Sequence, residues 1–152
     1  MHGLNELHSA GNKWIGTLEG ISKLDKAGKW TTYSNVEGVL TNKVRAIAID
    51  SAGNKWFGTD GGILKLDKAD KWTTYTTESG LIDNNVRSVA IDVGGDKWFG
   101  TFKGVSKLDT SGRWTTYTTE KGLVDNSVSA IVVDSQNNKW FGTTEGVSVL
   151  AK

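Results

Sequence analysis

The fold is decided by the stretch Val44-Arg-Ala-Ile-Ala-Ile-Asp-Ser-Ala-Gly-Asn-Lys-Trp-Phe-Gly-Thr-Asp-Gly-Gly-Ile-Leu-Lys-Leu-Asp-Lys-Ala-Asp-Lys-Trp-Thr-Thr-Tyr75, because close copies of it fill the chain. Each of its two tryptophans belongs to a series whose members recur every 42 residues. The first series is Trp14, Trp56, Trp98 and Trp140, and the second is Trp30, Trp72 and Trp114. A repeat of this length predicts one small structural unit that is used several times.

Each copy contains four short runs that are apolar, β-branched or aromatic. In the second copy these runs are residues 44–50, 55–59, 63–67 and 72–77. Such residues favour strands, and the Gly- and Asn-rich segments between them favour tight turns. No run has a helical period. Four antiparallel strands in about 40 residues are typical of a β-propeller blade, so we predict an all-β propeller fold. A β-solenoid fits less well, because its repeats are usually shorter and its strands parallel.

Comparison of the copies predicts how several recurring residues are used. One turn position holds Gly11, Gly53, Gly95 and Asn137, which indicates a positive φ. A second glycine follows each tryptophan of the first series by two residues, and we expect it to make room for the indole or a neighbouring sheet. Both tryptophan series are expected to pack in the core. Asp50 and Asp67 end strands, where carboxylates usually accept hydrogen bonds from turn amides. Their counterparts should do the same.

The repeat count predicts three complete blades and a partial fourth, at approximately residues 3–34, 44–77, 86–119 and 128–150. The fourth has no outer Trp-Thr-Thr-Tyr run, and residues 3–8 match the first-strand pattern poorly. An open arc of blades would expose apolar faces at both ends, which favours association. We therefore predict a homodimer in which two chains complete an eight-bladed ring. A four-bladed monomer is the alternative.

Composition restricts the classes of function. The 152 residues carry a net charge of +1 without blocks of like charge, so we expect no nucleic-acid partner. No run approaches the roughly 18 apolar residues of a membrane helix, and the first residues lack a signal-peptide pattern. Cysteine is absent, and the two histidines are His2 and His8. We therefore expect no catalytic triad, no metal site, no cofactor and no enzymatic activity.

The run Val86-Arg-Ser-Val-Ala-Ile-Asp92, followed by Lys97-Trp-Phe-Gly-Thr101 and Gly104-Val-Ser-Lys-Leu-Asp109, resembles the two-component regulator propeller repeat. The same pattern occurs at residues 46–62 and in the other copies. This resemblance implies a bacterial sensor-type propeller with a periplasmic or extracellular location that recognises glycans or other ligands. Residues 50–56 are also similar to the structural Asp-box hairpins of sialidases. The streptogramin lyases are propellers too, but their histidine and magnesium site has no match here.

The copies differ most in the turn between the second and third strands. The variable pairs are Leu18-Glu19, Asp60-Gly61, Phe102-Lys103 and Thr144-Glu145. In propellers this turn and the links between blades lie on one face, around the central channel. The candidate ligand-binding residues on that face are Arg45, Asp60, Arg87, Phe102, Lys103 and Glu145.

Three functional hypotheses follow. The favoured one is a non-enzymatic binding or scaffold module that self-associates to complete a ring and has a glycan or peptide as its possible ligand. The alternative is a carbohydrate-binding lectin in which aromatic side chains stack on sugars. A propeller hydrolase or lyase is the least favoured.

Overall fold

Four antiparallel sheets follow one another along the chain. The computed structural model describes residues 5–36, 39–40 and 43–152, with side chains at 10–34 and 43–152. Sheet 1 consists of β1 (Asn5–Ser9), β2 (Asn12–Thr17), β3 (Gly20–Leu24) and β4 (Trp30–Tyr33). A two-stranded ribbon of β5 (Asn35–Val36) and β6 (Val39–Leu40) follows it. Sheet 2 consists of β7 (Val44–Ile49), β8 (Lys55–Thr59), β9 (Gly62–Leu66) and β10 (Trp72–Tyr75).

The second half of the chain repeats this arrangement. Sheet 3 consists of β11 (Val86–Ile91), β12 (Lys97–Thr101), β13 (Gly104–Leu108) and β14 (Trp114–Tyr117). Sheet 4 consists of β15 (Val128–Val133), β16 (Lys139–Thr143) and β17 (Gly146–Leu150). In every sheet each strand pairs with the next one in sequence, which is the meander of a propeller blade. The predicted all-β fold with four-stranded antiparallel blades is confirmed, and the sheets are called blades 1 to 4 below.

Two features of the blades follow directly from glycine. The turn position after each first strand has a positive φ, at 77° for Gly11, 86° for Gly53, 89° for Gly95 and 68° for Asn137, as predicted. In blades 1 to 3 the glycine two residues after the first-series tryptophan (Gly16, Gly58 and Gly100) lies against the next blade. A Cβ on Gly58 would lie 2.7 Å from Cγ1 of Val86 in blade 3. The missing side chain therefore lets neighbouring blades approach closely, as expected.

The links from blade 2 to blade 3 and from blade 3 to blade 4 each contain a short 3₁₀ helix, Thr77–Ser79 and Thr119–Lys121. The sequence patterns did not predict these helices. The preceding residue caps each one, since the Thr76 hydroxyl accepts a hydrogen bond from the Glu78 amide and the Thr118 hydroxyl accepts one from Glu120. This capping ends β10 at Tyr75, two residues before the predicted end of the strand. In the described part of the chain, no helix has the length and hydropathy needed to cross a bilayer.

The hydrophobic core lies between blades and is divided into three clusters, one at each junction. Trp14, Trp56 and Trp98 are 2%, 2% and 1% exposed, because the following blade covers each of them. Their counterpart Trp140 is 43% exposed, since no blade of the described chain packs on it. Core packing of the first tryptophan series therefore holds at the three junctions that exist within the chain.

Candidate functional site

The predicted ligand-binding residues Arg45 and Arg87 lie on β-bulges. The register between the first and second strands shifts between Val44 and Ala46 in blade 2, and between Val86 and Ser88 in blade 3. The extra residue in each bulge is the arginine. Ser129 occupies the same position in blade 4. A bulge redirects the side chain of the inserted residue, so it turns these side chains toward the end of the blade. We call this end, where the first strands begin, the upper face.

The turn between the second and third strands reaches the same face and is held by a threonine. The Thr59 hydroxyl accepts a hydrogen bond from the Gly61 amide at 3.0 Å and donates one to the Gly62 carbonyl at 2.9 Å. Thr101 and Thr143 make the same pair of contacts in blades 3 and 4. The two residues at the tip contribute no side chain to these bonds, which explains why their identity varies among the copies.

In blade 2 the bulge residue and the turn residue form an ion pair. Nε of Arg45 donates to Oδ1 of Asp60 at 3.1 Å, and a terminal guanidinium nitrogen reaches Oδ2 at 3.4 Å. Nζ of Lys43 lies 3.8 Å from the same carboxylate. Both members of the main pair are about one-third exposed, at 32% and 27%. The predicted residues Arg45 and Asp60 are therefore brought together, and the cluster retains access to solvent.

In blade 3 the same two positions form a cation–π pair instead. The Arg87 guanidinium carbon lies 4.5 Å from the centre of the Phe102 ring, which is 46% exposed. Nζ of Lys103 lies 3.9 Å from a carboxylate oxygen of Asp83 in the link between blades. Glu145 is exposed at the tip of the blade 4 turn, where its backbone amide donates a hydrogen bond to the Thr143 hydroxyl. The six candidates thus all lie on the upper face. The side-chain contacts described above join each of them to residues of its own blade or of the link that precedes that blade.

We call the opposite end of the blades, where the first strands end, the lower face. It carries a second recurring arrangement, in which a carboxylate at the end of the first strand bonds the tryptophan six residues later. Nε1 of Trp98 donates to Oδ2 of Asp92 at 3.0 Å, and the Asp96 amide donates to Oδ1 at 3.0 Å. The pairs Asp50–Trp56 and Asp134–Trp140 are equivalent, each with a 2.9 Å bond from the indole. The expectation that these carboxylates accept turn amides is confirmed. Their bond to the indole was not predicted, although the constant spacing of Asp and Trp was a signal for it.

These bonds favour the ionised carboxylate. Burial raises the pKa of Asp92, but the hydrogen bonds from Trp98 and Asp96 outweigh burial, so the pKa lies below its ordinary value. The bonds from Trp140 and Asn138 lower the pKa of Asp134 to about 2. Asp109, directly after the third strand of blade 3, also has a pKa of about 2, because the hydroxyl of Ser111 and the amide of Arg113 donate to it. Bonds of this kind hold the turns of the lower face in place.

Lysines complete the junctions between blades. Nζ of Lys139 in blade 4 lies 3.5 Å from Oδ2 of Asp92, and the two side chains are 8% and 4% exposed. Lys139 and Lys107 both lie near the Trp98 ring, at 5.3 Å and 5.2 Å from its centre. Trp14 and Trp56 are each approached by two lysines in the same way. The buried tryptophans are therefore structural at the three junctions.

No group of three or more His, Asp or Glu side chains lies close enough together to hold a metal ion, within the residues whose side chains are described. The two histidines of the chain, His2 and His8, lie outside that set. The paired polar and aromatic groups of the upper face are the candidate site considered below.

Comparison with solved structures supports the propeller assignment. The chain is similar to the extracellular domain of the putative hybrid two component system BT3049 from B. thetaiotaomicron, with a TM-score of 0.82 and 27% identity over 95% of this chain and 21% of that one. It also resembles the extracellular domain of the putative one component system BT4673 from the same organism, with a TM-score of 0.53 and 16% identity over 95% and 26% of the two chains. These neighbours support the resemblance to the two-component regulator propeller repeat.

Enzymes also occur among the similar structures. Virginiamycin B lyase from Staphylococcus aureus has a TM-score of 0.72 and 20% identity over 98% of this chain and 55% of the lyase. The chain thus spans about a fifth of the BT3049 domain and about half of the lyase. No protein-family model matches the chain, and no curated protein matches it in sequence. The shared property of these neighbours is the propeller fold, which supports several unrelated activities.

Proposed function

We propose that the chain is a non-enzymatic binding or scaffold module that associates with a second copy of itself to close an eight-bladed ring. The observation that carries this proposal is the exposed outer face of blade 4. Trp140 and Val147 on this face are 43% and 64% exposed, whereas their counterparts Trp98 and Val105 are 1% and 0% exposed. Blade 4 covers those counterparts, and a further blade would cover Trp140 and Val147 in the same way.

Blade 1 presents the surface that fits this face. Trp30 is 56% exposed, whereas its counterpart Trp72 packs at 5.4 Å against Tyr33 of the preceding blade. Ile15 and Leu24 are only partly buried, although the same positions in blade 2 are buried against blade 1. Because every junction in the chain joins these two kinds of face, blade 1 of a second copy is the partner that the exposed face of blade 4 fits. Two such contacts related by a two-fold axis leave no end blade uncovered.

The lectin alternative receives less support from the positions of the aromatic side chains. The tryptophans that would stack on sugars at each blade junction are packed between blades, at 1–2% exposure. The ring that does reach the upper face, Phe102, is already covered on one side by Arg87. We therefore propose that the upper face binds a peptide ligand through its ion pairs and its Arg–Phe pair, with Arg45, Asp60, Arg87, Phe102, Lys103 and Glu145 as the contacts.

We expect Val147→Lys to abolish the dimer. The change places an ammonium in each of the two dry contacts of the ring, which costs about 3 kcal/mol or more per contact and raises the dimer Kd by roughly 10,000-fold. The matched control is Val93→Lys, since Val93 is 77% exposed in a lower-face turn outside the blade face. Sedimentation equilibrium should give a monomer for Val147→Lys and the wild-type mass for Val93→Lys. Equal masses for both variants would contradict the assignment of this face.

A glycan array separates the scaffold proposal from the lectin alternative. We expect no sugar to be retained through Phe102, because this ring is engaged by Arg87. Leu18 occupies the same turn position in blade 1 and is 48% exposed, close to the 46% of Phe102. A sugar that binds the wild type and the Leu18→Ala variant but not Phe102→Ala would favour the lectin.

A further inference from the structure

Four aromatic rings form a closed group at the junction between blades 1 and 2. Trp14 stacks on Tyr33 with ring centres 6.2 Å apart, and Tyr33 contacts Trp72 at 5.4 Å. Trp72 contacts Phe57 at 5.8 Å, and Phe57 returns to Trp14 at 5.9 Å. We call this group an aromatic quartet. The junction between blades 2 and 3 repeats it with Trp56, Tyr75, Trp114 and Phe99, at distances of 5.7 to 6.0 Å.

The junction between blades 3 and 4 contains only three of the four rings. Trp98 contacts Tyr117 at 5.5 Å and Phe141 at 5.9 Å, but no ring of the described chain occupies the fourth corner. A cavity of about 40 Å³ lies at that corner, and its lining includes Tyr117, Gly122, Leu123, Phe141 and Leu150. In the two complete quartets this corner holds the tryptophan of the outer strand, so the cavity is the corresponding indole slot.

The glycine at the floor of the slot supports this assignment. In the complete quartet a Cβ on Gly80 would lie 2.6 Å from Cδ1 of Trp114, so the indole lies directly on the Gly80 backbone. Gly122 is the counterpart of Gly80, and among the described residues no atom lies within 4 Å of the position that its Cβ would take. The surface that receives an indole in blade 3 is therefore open in blade 4.

The slot is accompanied by an open strand edge. In the complete blades the third strand pairs on both sides, for example with Trp72 opposite Leu66 and Tyr75 opposite Ile63. Within the described residues β17 pairs only with β16, so the backbone groups of its other edge face solvent. The link before blade 4 has the same arrangement as the link before blade 3, whose outer strand is in place. The Val124 amide donates a hydrogen bond to the Ser148 hydroxyl, as the Ile82 amide does to the Ser106 hydroxyl. Slot and edge are therefore preformed, which reduces the cost of binding.

We propose that this edge and slot bind an extended polypeptide segment with the pattern Trp-Thr-Thr-Tyr, which adds to blade 4 as its fourth strand. The segment runs antiparallel to β17, and its indole fills the corner between Tyr117 and Phe141. Its tyrosine packs against Trp140, as Tyr33, Tyr75 and Tyr117 pack against the first-series tryptophans of their own blades. Backbone hydrogen bonds supply affinity, and the two aromatic positions supply specificity.

The occupant is an extended segment and not a folded second copy. In a folded copy the Trp-Thr-Thr-Tyr strand β4 already pairs with β3, through the edge that β17 would need. The site also differs from the proposed dimer contact, since its indole slot lies between blades 3 and 4 of one chain. A monomeric chain and a closed ring both leave the slot open, so the inference does not depend on self-association.

Titration of the intact protein with a labelled peptide of sequence Arg-Trp-Thr-Thr-Tyr-Thr, identical to residues 113–118, tests the proposal by fluorescence anisotropy. We expect saturable binding with a Kd below about 1 mM, and roughly 30-fold weaker binding when the peptide tryptophan is replaced by alanine. Binding that never saturates, or equal binding of the two peptides, would overturn the proposal. Both peptides act on the unchanged protein, so a folding defect cannot explain the result.

A pair of protein variants locates the binding site. Gly122→Asn projects a side chain into the slot, and asparagine tolerates the φ of 104° better than most residues. Gly112→Asn is the matched control, because Gly112 also has a positive φ of 89° and open space around its Cβ position, but lies in a lower-face turn. We expect at least about tenfold weaker binding for Gly122→Asn and unchanged binding for Gly112→Asn. Unchanged peptide binding in both variants would show that the slot is not the binding site. The molecular mass of each variant in solution measures dimerisation separately from peptide binding.

Discussion

Asp92→Ala is expected to lower the free energy of unfolding by about 3 kcal/mol, because it leaves two buried groups without a partner. The Asp92 carboxylate accepts the Trp98 indole N–H and pairs with Lys139 from the next blade. The Asp92 and Lys139 side chains are only 4% and 8% exposed, so water cannot replace the lost contacts. Urea denaturation followed by tryptophan fluorescence measures the loss.

The chain contains its own control for this substitution. Asp134 makes the same bonds to its turn and to Trp140, but Trp140 is exposed and no blade of the described chain covers the carboxylate. In the monomeric Val147→Lys variant, Asp134→Ala should therefore cost clearly less than Asp92→Ala. Equal losses would show that the local turn and not the junction between blades determines the effect. In the dimer, the two losses of unfolding free energy should be closer to each other, because blade 1 of the partner would cover Trp140.

Gly104→Ala is the second substitution with a large expected effect, at about 3 to 4 kcal/mol. Gly104 has a φ of 130°, and an added Cβ would lie 2.5 Å from the Tyr117 carbonyl oxygen in β14. The change combines backbone strain with a clash that pushes the outer strand away from β13. Chemical denaturation gives the size of the loss, and near-ultraviolet circular dichroism shows whether the Tyr117 and Trp114 environments are disturbed.

Gly146→Ala separates the two contributions. Its φ of 142° is similar, but the nearest atom to an added Cβ is Cγ1 of Val124 at 3.8 Å. We expect only the strain, about 1 to 2 kcal/mol, since no strand among the described residues pairs with the free edge of β17. If both variants lose the same stability, the clash with β14 contributes nothing and the placement of the outer strand is wrong.

The blade was predictable from sequence because its internal copies act as an alignment. The positive φ of Asn137 and the close approach at Gly58 both follow from positions where the copies keep glycine or its nearest substitute. Strand ends were less accurate, since β10 ends at Tyr75 where Thr76 begins to cap a 3₁₀ helix. The Thr76 side chain can hydrogen-bond locally to the backbone instead of continuing the strand, and an alternating strand pattern does not show this preference.

The candidate site was predictable in position but not in geometry. The variable turn pairs indicated the upper face, and the structure places Arg87 beside Phe102 there. This contact depends on the bulge between Val86 and Ser88, and an apolar run does not show where its extra residue lies. The aromatic quartets were also hidden, because Tyr33, Phe57 and Trp72 come from two blades and their distances depend on how the blades pack.

The central claim is that one chain is an open arc of four blades which a second copy completes. Sedimentation equilibrium or light scattering of the intact chain tests this claim most directly. We predict twice the chain mass of 16.4 kDa, with no larger species, because the ring closes at two copies. A monomer of 16.4 kDa would contradict the claim and would leave the exposed face of Trp140 and Val147 without its proposed partner.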